Sequence, residues 1–387
     1  MDRLFLECGY MSLNKKGEEL CWDRVEYKDD GVYMTLVLSD GLGSGVKANI
    51  LSTLTSKILC HLVSNNVSMQ DCIETIIQTL PVCKVRNVAY STFSVIHVNK
   101  DGQGYMFEFD NPEAIYYHNG QICDFEREEH ICCDKKIFVS KLSLEEDDAI
   151  FLMSDGVIHA GIGQLLNLGW QRPEVKEFLS RNIKNSMSAR CMASILCGAC
   201  NDLYIGEPGD DTTVACVKIR KELSTQLMIG PPINAENDDF WIKKFIELDG
   251  KKIVCGGTTS HIVADYLKTD LQTSCDFIDK DVPPTAHIEG IDLVTEGVLT
   301  LRKLLEHSEK YLSVSDLAPK YYNSKDGASL LADMLFEKAT HITFFVGQSI
   351  NPAHQGLPID STMKFKLVDT LANNLKLMGK QVEVYYG

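Results

Sequence analysis

Two runs of β-branched and apolar residues in the first half of the chain end abruptly at an aspartate. Val32–Ser39 (VYMTLVLS) stops at Asp40, and Ala149–Ser154 stops at Asp155. Both read as buried strands. Thr92–Val98, Tyr105–Phe109 and Ala114–His118 read as further strands, Asn119-Gly120 signals a type I′ hairpin, and Thr213–Ile219 closes the series. Between them Val46, Ile50, Leu54, Ile58 and Leu62 recur every fourth residue, which predicts a helix over 46–64 with those side chains as its buried stripe. Asp71–Leu80 predicts a shorter helix stopped by Pro81, and residues 171–204 read as a helical region. Antiparallel-looking strands broken by helical blocks predict α+β layers.

The stretch Gly230–Asp238 (GPPINAEND) reads as a turn-rich linker, and beyond it the pattern changes. Short strands at Lys252–Cys255, Ile291–Val294, Ile342–Val346 and Gln381–Tyr386 alternate with helices at Thr258–Leu267, Gly297–Ser308, Ala328–Lys338 and Thr362–Leu377. That alternation predicts a smaller α/β domain with a mostly parallel sheet. The expected domains are therefore 1–222 and 239–387.

A length of 387 residues suits two domains. The net charge of −16 argues against nucleic acid and anionic lipid as partners, because no lysine or arginine cluster offsets it. No apolar run reaches the roughly 18 residues of a membrane span. The N-terminal MDRLFLECGYMS lacks the apolar core of a signal peptide, so the 14 cysteines are expected to be reduced thiols of a cytoplasmic protein. The Cys197-Gly198-Ala199-Cys200 motif, with Cys191 before it, offers a metal or redox spacing. It falls in a helix of small apolar residues, where cysteine packs as a small hydrophobe.

Three aspartates recur at strand ends: Asp40 in SDGLGSG, Asp155 in MSDG, and Asp210, followed by Asp211, in GDDTTV. A carboxylate there is held rigidly yet faces a loop. Several converging carboxylates repel one another unless a cation neutralises them, and hard divalent ions with oxygen ligands, Mg2+ or Mn2+, suit such a set.

The segments LVLSDGLGSGVKANILS (36–52), STFSVIHVN (91–99), AIFLMSDGVIHAG (149–161) and GDDTTVACVKI (209–219) resemble the bacterial branch of the metal-dependent type 2C serine/threonine protein phosphatases, the stage II sporulation protein E family. The resemblance covers about residues 1–220. It implies two packed antiparallel sheets flanked by helices, with two Mn2+ or Mg2+ ions at one edge. It also implies that Asp40 bridges the ions, Gly41 offers a backbone carbonyl, and Asp155 and Asp210 are ligands. Asp23 matches the first ligand, although Trp22 precedes it where the family has glycine, and Glu18 or Glu19 takes the role if the alignment slips. Catalysis is then expected from metal-activated hydroxide attacking phosphorus in line, with no covalent intermediate. In agreement, no cysteine has an arginine six residues on. His159 follows Asp155 by one helical turn, and Arg24 is the weak counterpart of the family's phosphate-gripping arginine. In this branch the helix after the glycine loop acts as a switch on the metal ligands; simple cover for the sheet is its plainer role.

The substrate the resemblance implies is a phosphorylated signalling protein of the anti-sigma-factor-antagonist kind. A phosphatase-fold scaffold without metal is the rival reading. In the second domain Gly256, Gly257, Thr258, Thr259 and Ser260 join a strand to a helix start, a place that favours a small anionic ligand or simply caps a helix. Asp292, Thr295, Glu296, Asn351, His354 and Gln355 are expected near the same sheet edge, so the domain is a sensor, a docking module or a sugar-phosphate-like enzyme.

Overall fold

The computed structural model of the chain describes residues 4–41, 45–79, 82–83, 88–89, 91–234, 236, 238–273, 282–313, 324–349 and 359–387. The chain forms two compact units, Met1–Lys221 and Glu222–Gly387.

The first unit begins with β1 (Leu4–Leu13), β2 (Arg24–Asp29), β3 (Tyr33–Gly41), α1 (Val46–Ser64) and α2 (Met69–Thr79). There follow β4 (Val82–Cys83), β5 (Val88–Ala89), β6 (Ser91–Asn99), β7 (Gln103–Phe109), β8 (Ile115–His118), β9 (Gln121–Cys123), β10 (Glu128–Cys132) and β11 (Lys135–Ser143). β12 (Ala149–Met153), α3 (Asp155–Ile158), α4 (Arg172–Asn182), α5 (Ala189–Leu203) and β13 (Thr212–Lys221) complete it. One sheet runs β1-β13-β12-β8-β9 and the other β10-β11-β7-β6-β3-β2, with antiparallel neighbours throughout. Leu36 and Leu38 of β3 join Ile150, Leu152, Ala215 and Val217 of the other sheet in the core between them. Val37 points the other way, into a core shared with α1 and α2. Burial on both faces explains why β3 reads as a continuous apolar run instead of alternating.

Two features of this unit correct the expectations. In α1 the predicted stripe is only partly the buried one: Val46, Ile50 and Leu54 are exposed and Ile58 and Leu62 are partly buried against the core, while Ala48, Leu51, Ser52, Thr55, Ser56, Leu59, Cys60 and Val63 are the fully covered face. Both stripes have helical spacing, and the one rich in small residues lets the helix approach the strands closely. The N-terminal strand β1, unmarked in the pattern, pairs with β13 along its whole length from Leu4↔Lys221 to Leu13↔Thr212. Its polar Glu7 is fully buried, accepting from the Ala189 N–H at 2.9 Å and pairing with Arg220 at 3.3 Å. The cysteines of the Cys197–Cys200 motif lie fully buried on α5, as core packing requires.

The second unit comprises β14 (Ser224–Ile229), α6 (Asp238–Glu247), β15 (Lys251–Cys255), α7 (Gly257–Leu267), β16 (Gln272–Thr273), β17 (Ala286–His287) and β18 (Leu293–Thr295). It continues with α8 (Val298–Leu312), α9 (Gly327–Ala332, followed by a π-helical turn to Lys338), β19 (His341–Val346), α10 (Ile359–Leu377) and β20 (Gln381–Tyr386). Its sheet order is β16-β17-β18-β15-β14-β19-β20, with β18 through β20 parallel. The strand β14 precedes the turn-rich stretch and lies inside this sheet, between β15 and β19, so the unit starts at Glu222 and not at 239. The proline-rich segment is a connection within the unit. The chain steps outward from β14 to β15 and β18, then returns to β19 on the other side of β14. That reversal is the topological switch point at which α/β sheets open a crevice.

Candidate metal centre

β3 and β6 are paired to their ends, with Asp40 opposite Thr92 and Gly41 opposite Ser91. The Ser91 hydroxyl donates to the Asp40 carbonyl at 2.8 Å and fixes the strand end. In the other sheet Ser154 links β12 to β13: its N–H donates to Thr213 O at 3.0 Å, and its Oγ accepts from Thr213 N at 2.9 Å. Asp155 follows as the first residue of α3, and Asp210 lies just before β13. Gly156 is required here by close approach, since a Cβ would stand 2.0 Å from Asp211 O.

These segments bring the sequence-derived aspartates together. Asp40 lies within hydrogen-bonding reach of Asp23 and of Asp155. Asp155, Asp210 and His159 place one ligand atom each within 4.8 Å of one another. Asp23 forms the floor of the cluster and is 5% exposed, whereas the Asp155 and Asp210 side chains are 40% and 41% exposed at the rim. Neither carboxylate oxygen of Asp23 makes a well-formed hydrogen bond, although the Ser154 and Thr213 side chains and Asp40 lie close to it. Glu18 and Glu19 are exposed. Burial, then the adjacent Asp23 and Asp155, pushes the Asp40 carboxyl up to about 9. Burial likewise raises Asp23 to about 7 and raises Asp155. Buried carboxylates packed this closely resist ionising together and are stabilised as anions by a positive charge among them. The residues present therefore fit an oxygen-ligated divalent cation.

Asp211 has a different task. Its Oδ1 accepts from Lys15 N at 2.7 Å and its Oδ2 from Trp22 N at 2.6 Å. It thereby folds the segment before Asp23 over the cluster. Lys15, which sequence reasoning missed, places its Nζ 3.5 Å from Asp210 Oδ1 and 5.4 Å from the Trp22 ring. Nothing local in the sequence marks this lysine; only the Asp211 contacts bring it here. Arg24 is exposed on β2, opposite Ser39. His159 is 46% exposed with Nδ1 3.8 Å from Asp155 Oδ2.

In the second unit Gly256 caps α7 with φ 111°, and Gly257 and Thr258 are exposed. The expected hydroxyl donors Thr259 and Ser260 are buried and engaged within the fold. Thr259 Oγ1 accepts from Gly230 N at 3.0 Å, and Ser260 Oγ donates to Gly256 O at 2.8 Å. Asp292 is at the opposite end of β18, bonded to Lys251 Nζ and Lys252 N. Asn351, His354 and Gln355 lie outside the described residues.

Residues 30–220 match the profile of the stage II sporulation protein E (SpoIIE) family. The solved phosphatase domain of SpoIIE from Bacillus subtilis, in a crystal form without domain swapping, aligns with a TM-score of 0.45 at 18% identity over 57% of this chain and 95% of that one. A structure of that domain with a fragment of its regulatory domain gives 0.49 at 19% identity, over 57% and 66%. RsbX in complex with magnesium gives 0.41 at 18%, over 57% and 100%. No curated protein matches the chain.

Proposed function

We propose that the first unit, whose residues 30–220 form a stage II sporulation protein E domain, is a metal-dependent type 2C phosphatase that hydrolyses phosphoserine or phosphothreonine in a signalling protein. The observation that carries this reading is the buried Asp23 carboxylate packed against Asp40, with Asp155 and Asp210 converging on the same place. A divalent cation bound there, Mn2+ or Mg2+, supplies charge neutralisation for phosphoryl oxygens and activates water. Asp23, Asp40, Asp155 and Asp210, with the Gly41 carbonyl, are the groups proposed to hold it. Lys15 offers a rim cation to the phosphate, and His159 steadies Asp155. Water attacks phosphorus in line as the P–O bond to the serine or threonine oxygen breaks, and that oxygen takes up a proton. No enzyme nucleophile is needed. Cys21, beside the cluster, is unsuited to the part: burial, with Asp23 and Asp211 nearby, drives its thiol far above the ordinary range.

Phosphate release from a phosphoserine peptide by the full chain tests the reading. Turnover should require Mn2+ or Mg2+, stop with EDTA, survive iodoacetamide and vanish in Asp40→Asn. If the wild type binds no Mn2+ and hydrolyses nothing, the scaffold reading takes over; if it binds Mn2+ yet releases no phosphate from any phosphoserine or phosphothreonine peptide, the phosphatase reading fails.

The second unit is proposed to regulate the first by taking a small anionic ligand at the exposed Gly256–Thr258 turn. The support is the switch point between β14 and β19 and the open turn beside it. Failure of phosphate and phosphorylated metabolites to shift the thermal unfolding of the full chain removes this role.

A further inference from the structure

Apart from the aspartate cluster, a second group of ligand atoms converges among the described residues. The Sγ atoms of Cys132 and Cys133 and a carboxylate oxygen of Glu74 lie within 4.8 Å of one another. Glu74 is on α2. Cys132 ends β10, and Cys133 is exposed in the turn that leads to β11.

The turn itself is informative. Cys132 pairs with Lys135, so Cys133 and Asp134 are the two central residues of a hairpin, with φ of 48° and 61°. Both positions demand the left-handed region, which Asn-Gly fills most easily. The chain uses that pair in its other two-residue hairpin, where Asn119 and Gly120 have φ of 50° and 77°. Cysteine gives no conformational advantage at such a position, so turn geometry leaves its presence unexplained. The same turn places its thiol beside that of Cys132 and over α2. Gln70, one helical turn before Glu74, donates to Glu74 Oε1 at 2.9 Å. A hydrogen bond of this kind orients a ligating carboxylate.

We propose that Glu74, Cys132 and Cys133 form a site for a thiophilic divalent cation of the Zn2+ class, with its fourth coordination position open to solvent. Zinc–sulfur and zinc–oxygen bonds of about 2.3 and 2.0–2.2 Å place tetrahedral donors roughly 3.4–3.8 Å apart. The donors here are within a rotamer adjustment of that spacing, and the exposed Cys133 is free to make it. Thiolates select zinc-like ions over Mg2+ and Mn2+, whereas the oxygen-only cluster prefers the hard ions. The two centres therefore differ in the metals they take. An ion here would clip the β10–β11 turn to α2.

The test is a Co2+ titration of the full chain, followed by displacement with Zn2+, reading the thiolate-to-cobalt charge-transfer band. The proposal expects the band in the wild type and in Asp40→Asn, which separates this site from the aspartates. Cys133→Ser and Glu74→Gln should each weaken Zn2+ binding tenfold or more, while Cys123→Ser leaves it unchanged. Circular dichroism of each variant checks that the fold is intact. Absence of the band in the wild type, or its persistence with unchanged affinity in Cys133→Ser, overturns the site.

Discussion

A Cβ placed on Gly41 would stand 2.3 Å from the carbonyl oxygen of Ala48. The strand end that carries Asp40 is thus in backbone contact with the first turns of α1, and no side chain fits between them. Gly41→Ala must push α1 from the strand, at about 1–3 kcal/mol of stability. A ligand displaced by about 1 Å costs on the order of 100-fold in turnover. Urea unfolding and Mn2+-dependent phosphate release measure the two effects. Wild-type turnover in this variant would show that α1 does not control the aspartate, and would remove the switch role expected for it.

The two faces of α1 should respond oppositely to substitution. Leu59 is fully buried against β3 and β6, whereas Ile50 is 50% exposed. Leu59→Ala should cost about 2–5 kcal/mol through lost contacts and a cavity. Ile50→Ser should change stability by about 0.5 kcal/mol or less. Equal losses in thermal or urea unfolding would contradict the observed orientation of the helix.

Asp211 acts on the cluster through the backbone it holds. Asp211→Ala leaves Lys15 N and Trp22 N without their acceptor and frees the segment that positions Asp23. Mn2+ affinity should fall about 10–100-fold, as for loss of groups that orient metal ligands. Asp211→Asn keeps one acceptor oxygen and should recover part of the loss. If both variants bind Mn2+ like the wild type in isothermal titration, Asp23 is held by other contacts.

The sequence pattern revealed those parts of the site that have a local signature. Asp40 and Asp155 each terminate an apolar strand, and Asp210 precedes one, so strand ends and ligands were visible together. Asp211 and Lys15 were not, because their roles arise from bonds between residues 196 positions apart in the chain. The same limit hid β1. Its polar Glu7 breaks the apolar pattern and is tolerated only because Arg220 and the Ala189 N–H meet it inside the fold. In α1 the periodicity was right and the phase was off by part of a turn, so that Ile58 and Leu62 reach the core and the first three members of the stripe do not. Hydrophobicity alone favours Val46, Ile50 and Leu54, while close helix–sheet packing selects the face with Ala48, Ser52 and Ser56. In the second unit the strand-and-helix alternation was plain, yet the hydroxyls of Thr259 and Ser260 turned out to serve the fold's own backbone.

Glu108 provides a pH dependence distant from the aspartates in kind. It is 1% exposed on β7, accepts from Ala114 N at 2.9 Å and lies 3.2 Å from Arg127. Burial pushes its carboxyl up to about 7 in spite of those two partners. A folded-state pKa above the unfolded one means that the native protein holds the proton more tightly. Below about pH 4.5 both states are protonated and the group imposes no penalty. As pH rises toward 7 the unfolded state ionises first, and stability falls. Above pH 7 the loss levels off at roughly 3 kcal/mol. Glu108→Gln keeps an acceptor for Ala114 N and cannot ionise, while Arg127 retains Glu113 at 3.3 Å. The variant should therefore gain stability over the wild type, by about 3 kcal/mol in total, between pH 4.5 and 8. Urea unfolding of both proteins in EDTA across that range measures the difference, in which every group common to the two cancels. A difference that stays flat with pH would mean that Arg127 holds the Glu108 carboxylate ionised at the ordinary pKa.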